Sequence, residues 1–219
     1  MTANDRMLHS WCAGEARHPA TLDDHANMAR AAVALYESTG NSGYLEDTRK
    51  LTDQIDAYYR DENGGYFFAA NNNATPSGNG TLVGVFTRMY YLTGDQTYRT
   101  RAESIVKAFA GEVARNFFPL STLLNSNELL NRGLQIVIIG DRANSDTTAL
   151  WDEPKYHSLP DRILNVIATA QHLPDGHPAT GKDQNDGKPA AYICEGPVCS
   201  HPMTTPEDLT AFLAIRPTP

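Results

Sequence analysis

The sequence has no long apolar run and no excess of positive charge. Its longest strictly apolar run covers residues 31–36, whereas a helix that spans a bilayer needs about twenty apolar residues. The polar first residues are not followed by an apolar stretch, so no secretory signal is visible. Lysine and arginine number 18 against 26 aspartates and glutamates, and the net charge of −8 disfavours a nucleic acid as the main partner. These absences predict a cytoplasmic protein with neither a membrane nor a nucleic-acid partner.

Cysteine is also scarce, with Cys12, Cys194 and Cys199 as the complete set. Without a secretory signal, we expect free thiols in a reducing compartment, with Cys194 and Cys199 buried in a small turn. Their spacing is wider than that of a thioredoxin-type redox pair, so a redox role is the weaker alternative. His201 would supply a third ligand for a Cys–Cys–His metal site, but a fourth would have to be recruited. We therefore predict no metal and no cofactor.

The first half of the chain has the periodicity of α-helices. Hydrophobic residues make up 41% of the whole sequence, which allows a buried core. Apolar side chains recur every three or four positions in four segments, as on one face of a helix. These faces begin at Leu22, Tyr44, Leu82 and Tyr98. Thr21 and Asp24 have the spacing of a capping box before the first face, and Gly40 is placed to end that helix.

Two turns between these helices are alike. Residues 35–44 and 89–98 both contain a Thr-Gly step and end on a tyrosine, and the two tyrosines stand 54 residues apart. A helical-hairpin repeat of that length predicts stacked helix pairs, each covering the apolar face of the next.

The second half has a different character. A buried strand is predicted at residues 135–139, and further strands at 163–168 and 190–194. The remaining predictions are short helices at 120–130 and 145–157, a loop at 172–189 and a last helix that starts after Thr205. The sequence therefore predicts a helical-hairpin part, residues 1–132, followed by a small α/β unit, residues 133–219.

Two polar segments that lead into helices are candidates for a ligand site. They cover residues 18–25 and 71–79, and the N–H groups of a helix start favour polar or anionic ligand groups. Asp24 and His25 are the candidate catalytic residues, able to act as acid, base or acceptor for a sugar hydroxyl. The candidate substrate-binding residues are Trp11, Tyr66, Phe67, Ser77 and Asn79.

Each candidate also has a purely structural interpretation. Asp24 can serve only as the acid of the capping box, and His25 can be a buried, hydrogen-bonded helix residue. The aromatic residues after Gly64 can belong to the core rather than to a binding platform. A glycosidase of the usual kind needs two carboxylates across the bond, and Asp24 is the one persuasive acid in these segments.

Several short segments are shared with one known family. They include Leu22-Asp23-Asp24-His25-Ala26, Gly64-Gly65-Tyr66-Phe67-Phe68, Ala74-Thr75-Pro76-Ser77-Gly78-Asn79, Gln135-Ile136-Val137-Ile138-Ile139-Gly140-Asp141 and Cys199-Ser200-His201-Pro202. With these segments, most of the chain resembles the C-terminal part of the spermatogenesis-associated, thioredoxin-domain-containing family. The Pro-Ser-Gly-Asn string and the closing cysteine segment are the most specific of them.

The resemblance implies a fold and a class of ligand. Members of the family join a thioredoxin-like domain to a six-hairpin, glycosidase-like α/α toroid, related to glycosidases and sugar epimerases. For this chain it implies a mainly α fold, a partial α/α toroid with a small C-terminal α/β unit. His25 and Asn72 stand where the family has a tyrosine and an acid. The first hairpins have no counterpart here, so we expect a homo-oligomer or a partner chain to cover the incomplete toroid.

Three functions stay open on this basis. The first is a carbohydrate-active protein, glycosidase-like or epimerase-like, that takes a small carbohydrate beside Asp24 and His25. The second is a non-catalytic interaction module. The third and weakest is a redox role for Cys194 and Cys199.

Overall fold

The computed structural model describes residues 2–3, 6–67, 76–168, 173 and 177–215. Those residues form seven α-helices and two small sheets. They divide into two units: Met1–Tyr90 with Gln96–Leu130, and Tyr91–Asp95 with Asn131–Pro219. The prediction of a mainly α chain with a smaller α/β part is confirmed at this level. No helix in the described ranges combines the length and the apolar character needed to cross a bilayer.

The predicted helices are present, and α1 is capped at the expected residues. They are α1 Leu22–Thr39, α2 Gly43–Tyr59, α3 Pro76–Thr93, α4 Gln96–Arg115 and α5 Ser121–Arg132, the last preceded by a 3₁₀ helix at Phe118–Leu120. Gly40 ends α1 with a left-handed φ of 72°, and its N–H donates to Tyr36 O at 2.7 Å. Gly94 follows α3 with a similar φ of 77°.

Helix α3 is buried on nearly every side. Between Gly78 and Tyr90, the described side chains of α3 in the first unit, only Arg88 is partly exposed, and its guanidinium lies 3.4 Å from the carboxylate of Glu37 on α1. Gly80 lets α5 approach closely, since a Cβ at that position would lie 2.7 Å from the backbone N of Leu123. The glycine therefore belongs to the helix packing, and α3 forms the centre of the first unit.

A β-hairpin that the sequence did not indicate precedes α1. Strands β2, Arg6–Cys12, and β3, Glu15–Pro19, pair antiparallel, and the two-residue strand β1, Thr2–Ala3, pairs with β2. The turn between β2 and β3 is Ala13-Gly14, with positive φ at both residues, as a two-residue hairpin turn requires. Alanine gives little sign of such a turn, which Asn-Gly or Asp-Gly normally marks, so the hairpin was missed.

The second unit is a four-stranded sheet with helices. Its elements are β4 Leu134–Ile139, α6 Ser145–Asp152, a 3₁₀ helix Glu153–Tyr156, β5 Arg162–Ile167, β6 Ala190–Glu195, β7 Val198–Cys199 and α7 Pro206–Ala214. The strand order is β5-β4-β6-β7, with β5 parallel and β6 antiparallel to β4. Every residue of β4 is buried, because the strand is central in the sheet and its alternate side chains enter two separate apolar clusters. The three longer strands were predicted, whereas the two-residue strand β7 was not.

The expectation of free thiols at Cys194 and Cys199 is wrong, because the structure joins them in a disulfide. A two-residue turn connects β6 to β7 and places the two cysteines directly opposite each other. In the neighbouring pair, Ser200 N–H donates to Ile193 O. Hydrogen-bonded and non-hydrogen-bonded pairs alternate along antiparallel strands, so the two cysteines form a non-hydrogen-bonded pair, in which the strands approach most closely. Their Cα atoms are 4.1 Å apart. Cys12 is free and exposed.

Candidate functional site

The first candidate segment joins strand β3 to helix α1. Thr21 is the N-cap of α1, and its Oγ1 accepts a hydrogen bond from the N–H of Asp24. In return, Asp24 Oδ2 accepts from Thr21 N at 2.7 Å and from Thr21 Oγ1 at 2.9 Å. The predicted capping box is therefore present, and it fixes the position of the Asp24 carboxylate at the start of α1.

The same carboxylate also binds a histidine from the hairpin. His9 Nδ1, on β2, lies 2.8 Å from Asp24 Oδ2. The His9 side chain is 55% exposed and that of Asp24 is 26% exposed, so solvent reaches the pair. Sequence reasoning missed His9, because the two residues are 15 positions apart and the hairpin that brings them together was not predicted.

These contacts lower the pKa of the Asp24 carboxyl. Burial raises the pKa of Asp24, but hydrogen bonds from the Thr21 N–H, from His9 and from the Thr21 hydroxyl outweigh it, and the pKa lies below its ordinary value. Asp24 is therefore an acceptor at neutral pH, so this hydrogen bond needs a proton on His9 Nδ1. In the neutral tautomer that carries this proton, the lone pair is on Nε2, which suits that tautomer to take a proton from a ligand.

His25 does not share this exposed position. It is buried, with Nδ1 2.9 Å from Thr21 O, and its ring lies 5.3 Å from that of Tyr59 between centroids. The Tyr59 hydroxyl donates to Ala20 O at 2.6 Å, next to the helix start. His25 and Tyr59 thus hold the chain that leads into α1, a geometry that favours a positioning role for His25.

Trp11 lies on the same strand as His9. Side chains alternate along a strand, so residues 9 and 11 share a face of the hairpin and are about 7 Å apart along it. Trp11 is 60% exposed. An exposed indole at this distance from an acid–base pair can stack against the apolar face of a ring-shaped ligand.

The structure gives the other predicted substrate-binding residues different surroundings. Tyr66 and Asn79 are buried and bind each other twice: Tyr66 N donates to Asn79 Oδ1, and Asn79 Nδ2 donates to Tyr66 O, each at 2.9 Å. Burial, together with a hydrogen bond to Asp56, raises the pKa of Tyr66 far above its ordinary value. Phe67 is exposed. Ser77 lies in α3, but its side chain and residues 71–75, including Asn72, are outside the described residues.

The starts of α1 and α3 lie side by side. A Cβ added to Gly78 would collide with Asp23 Oδ1 and would come within 3.1 Å of the Leu22 side chain. The two predicted helix starts are therefore neighbours in space, although 54 residues separate positions 24 and 78. Within the described ranges, no group of three or more His, Cys, Asp or Glu side chains is placed to hold a metal ion.

Comparison with known proteins gives one group of relatives. No protein-family profile matches the chain. It is similar to spermatogenesis-associated protein 20 of Homo sapiens and of Rattus norvegicus, each 26% identical over 218 aligned residues, and to that of Mus musculus, 25% identical. Each alignment covers 88% of this chain and 27% of the relative. The chain thus spans about a quarter of the length of the curated relatives it matches. At this level of identity it is a distant homologue of them.

Proposed function

We propose that the protein binds a small carbohydrate at the junction of β2 and α1, with His9 and Asp24 as an acid–base pair. The observation that carries the proposal is the 2.8 Å hydrogen bond between an exposed histidine and an ionised carboxylate. Exposed Trp11 on the same face of the hairpin supplies the stacking surface that sugars use. In this proposal Asp24 has the catalytic role that the sequence predicted for it. His25 stabilises the start of α1, from which the Asp24 side chain projects.

The chemistry of the pair favours proton transfer over glycosidic hydrolysis. His9 Nε2 accepts a proton from a sugar hydroxyl or from a carbon next to a carbonyl, and Asp24 stabilises the imidazolium that forms. A glycosidase of the usual kind would need a second carboxylate across the bond. The Asp24 carboxylate already binds Thr21 and His9, so an epimerase-like reaction or simple binding fits better.

We also propose that α1–α4 are two hairpins of a partial α/α toroid. The support is the 54-residue repeat together with the neighbouring starts of α1 and α3. In stacked hairpins, loops at one end of the helices surround the ligand. Exposed Phe67 would lie in the wall of that site, and the buried Tyr66–Asn79 pair would hold the segment that carries it. Residues 1–132 and 133–219 are the two proposed domains, and the proposed location is the cytoplasm.

The proposal is tested with sugars and a carboxylate variant. Asp24→Asn keeps an oxygen for the Thr21 N–H but removes the charge that orients His9. We expect it to weaken binding of the best ligand from a panel of mono- and disaccharides by about ten-fold, in line with the loss of a charged hydrogen bond. Isothermal titration calorimetry measures the affinity, and Trp11→Ala should weaken it as well.

The matched control is Asp208→Asn. Asp208 is also the acid three residues after a threonine N-cap, since its N–H donates to Thr205 Oγ1 at the start of α7. This variant should leave sugar affinity unchanged. Absence of binding by the wild-type protein, or equal affinities for the wild type and both site variants, would refute the carbohydrate proposal.

A second candidate function is that of an interaction module, in which two copies of the chain bind each other. It is favoured by two adjacent aromatic residues between α4 and α5, Phe117 and Phe118, which are 65% and 81% exposed. Exposed neighbouring aromatics are typical of protein–protein contacts.

A further inference from the structure

The Cys194–Cys199 disulfide joins two sulfur atoms in unlike surroundings. Cys194 is buried in β6, with 1% of its surface exposed, whereas Cys199 is exposed on β7. In the described sheet, β7 is the edge strand and only two residues long. Cys199 is therefore the residue of the pair that is open to a reagent from solvent.

The strand pairing next to the disulfide does not depend on it. Ser200 N donates to Ile193 O at 2.8 Å, and Ile193 N donates to Ser200 Oγ at 3.0 Å. Ala191 and Met203 exchange two further backbone hydrogen bonds, and the Met203 side chain is part of the buried core. The chain on the far side of Cys199 is therefore anchored by other contacts.

The disulfide also closes a very small ring. The two cysteines are five positions apart, and a short ring restricts the unfolded chain less than a long one does. Stabilisation of the fold is thus a poor explanation for this bond.

We propose that Cys194 and Cys199 form a reversible dithiol–disulfide site, at which an external dithiol reacts first with Cys199. A thiolate of the dithiol attacks Cys199 Sγ and forms a mixed disulfide with it. The Cys194–Cys199 bond breaks, its electron pair remains on Cys194 Sγ, and this sulfur takes a proton from solvent.

The second thiol of the reagent completes the exchange. After losing its proton, it attacks the reagent's own sulfur in the mixed disulfide and releases Cys199 as a thiolate. The reagent is oxidised to a disulfide, and the protein disulfide is reduced to two thiols by two electrons. The reverse reaction with an oxidised reagent closes the site again. Because access to solvent decides which sulfur is attacked, the reagent attacks Cys199, and the buried Cys194 is the leaving group.

The experiment uses the full chain with Cys12→Ser, which removes the exposed free thiol. Oxidised protein is treated with dithiothreitol under native conditions, and free thiols are blocked with N-ethylmaleimide and located by peptide mass spectrometry. The proposal is supported if the bond opens without denaturant and the melting temperature then falls by less than about 5 °C. In a chain of this size, a fall that small corresponds to a minor loss of stability. Opening in denaturant alone, or a fall above about 10 °C, would identify a structural bond and overturn it.

Two single-cysteine variants in the same background test the order of attack. With oxidised glutathione, Cys194→Ser leaves Cys199 and should form the mixed disulfide about ten-fold faster than Cys199→Ser, which leaves Cys194. In denaturant, the two rates should be equal. Equal rates in variants that circular dichroism shows to be folded would contradict the assignment of Cys199, as would two free thiols in the wild-type protein before any reductant is added. Should a variant unfold, the dithiothreitol experiment on the intact pair decides.

Discussion

In the part of the chain that the structure describes, Asp24 and Glu153 each accept hydrogen bonds from a histidine and a hydroxyl. Asp24 binds His9 and Thr21 in the first unit, while Glu153 Oε1 accepts from His157 Nε2 at 2.9 Å and from the Thr210 hydroxyl in the second. Exposure separates their roles: the His9 side chain is 55% exposed, but that of His157 is 24% exposed. The pair at Asp24 can therefore meet a ligand, whereas the cluster at Glu153 ties the 3₁₀ helix to α7.

The Glu153 cluster predicts a pH-dependent contribution to stability. The hydrogen bond from Thr210, followed by that from His157, lowers the pKa of Glu153 below its ordinary value. A lowered carboxyl pKa stabilises the fold above the ordinary pKa, and this contribution disappears as the pH falls through the lowered value. Glu153→Gln should therefore cost about 1–2 kcal/mol at pH 7 and progressively less below about pH 4.

Urea unfolding between pH 3 and pH 7 measures this difference. The control is Glu62→Gln at an exposed turn residue, which should change the free energy of unfolding by less than about 0.5 kcal/mol. A loss for Glu153→Gln that stays constant across the pH range would show that the ionised carboxylate is not what stabilises the cluster.

At the scale of elements, the repeated turn is built by the same local bonds in both places. Thr39 Oγ1 accepts from the N–H of Asn41, and Thr93 Oγ1 accepts from the N–H of Asp95, both at 3.2 Å. In each turn, the intervening glycine has a positive φ. The repeated Thr-Gly step in the sequence therefore corresponds to a repeated turn in the structure, because the hydrogen bond and the glycine that form each turn lie within three residues.

Helix packing at Gly80 gives a second prediction at this scale. Gly80→Ala places a Cβ against the backbone of Leu123 and Thr122, which cannot rotate away, and should destabilise the protein by about 1–3 kcal/mol. The matched control is Gly111→Ala in α4, where an added Cβ meets no atom within 4 Å. It should stabilise by about 0.5–1 kcal/mol through helix propensity. Chemical denaturation measures both, and a stabilising Gly80→Ala would rule out the close approach of α3 and α5.

At the scale of the whole molecule, the exposed aromatic pair predicts weak self-association. Two side chains cover far less than the roughly 800 Å² per partner of a stable interface, so we expect association only at high concentration. Analytical ultracentrifugation of Phe117→Ser/Phe118→Ser should show a monomer at concentrations where the wild type associates. Tyr156→Ser, at an equally exposed position, is the control and should behave as the wild type does. A wild-type monomer at all concentrations would contradict the interaction-module proposal.

Residues near one another in the chain determined the helices and their caps. Thr21 with Asp24, Gly40 and the Thr205 cap of α7 could be identified because an N-cap or a C-cap is completed within about four residues. The strands β4, β5 and β6 could be identified because each is a short, mainly apolar run, as a buried strand is. The resemblance to a family rests on the same short segments, and the comparisons support it as distant similarity.

Tertiary structure alone decided the long-range contacts of the candidate site. His9 meets Asp24 only because the hairpin folds against the start of α1, and Gly78 meets Asp23 only because α1 and α3 pack side by side. The disulfide likewise depends on the register of β6 and β7. Periodicity and caps describe forces that act within a few residues, whereas these contacts join positions that packing brings together. The sequence by itself therefore determined the helices, the longer strands and the Thr21–Asp24 capping box, and the packed chain decided that Asp24 meets His9.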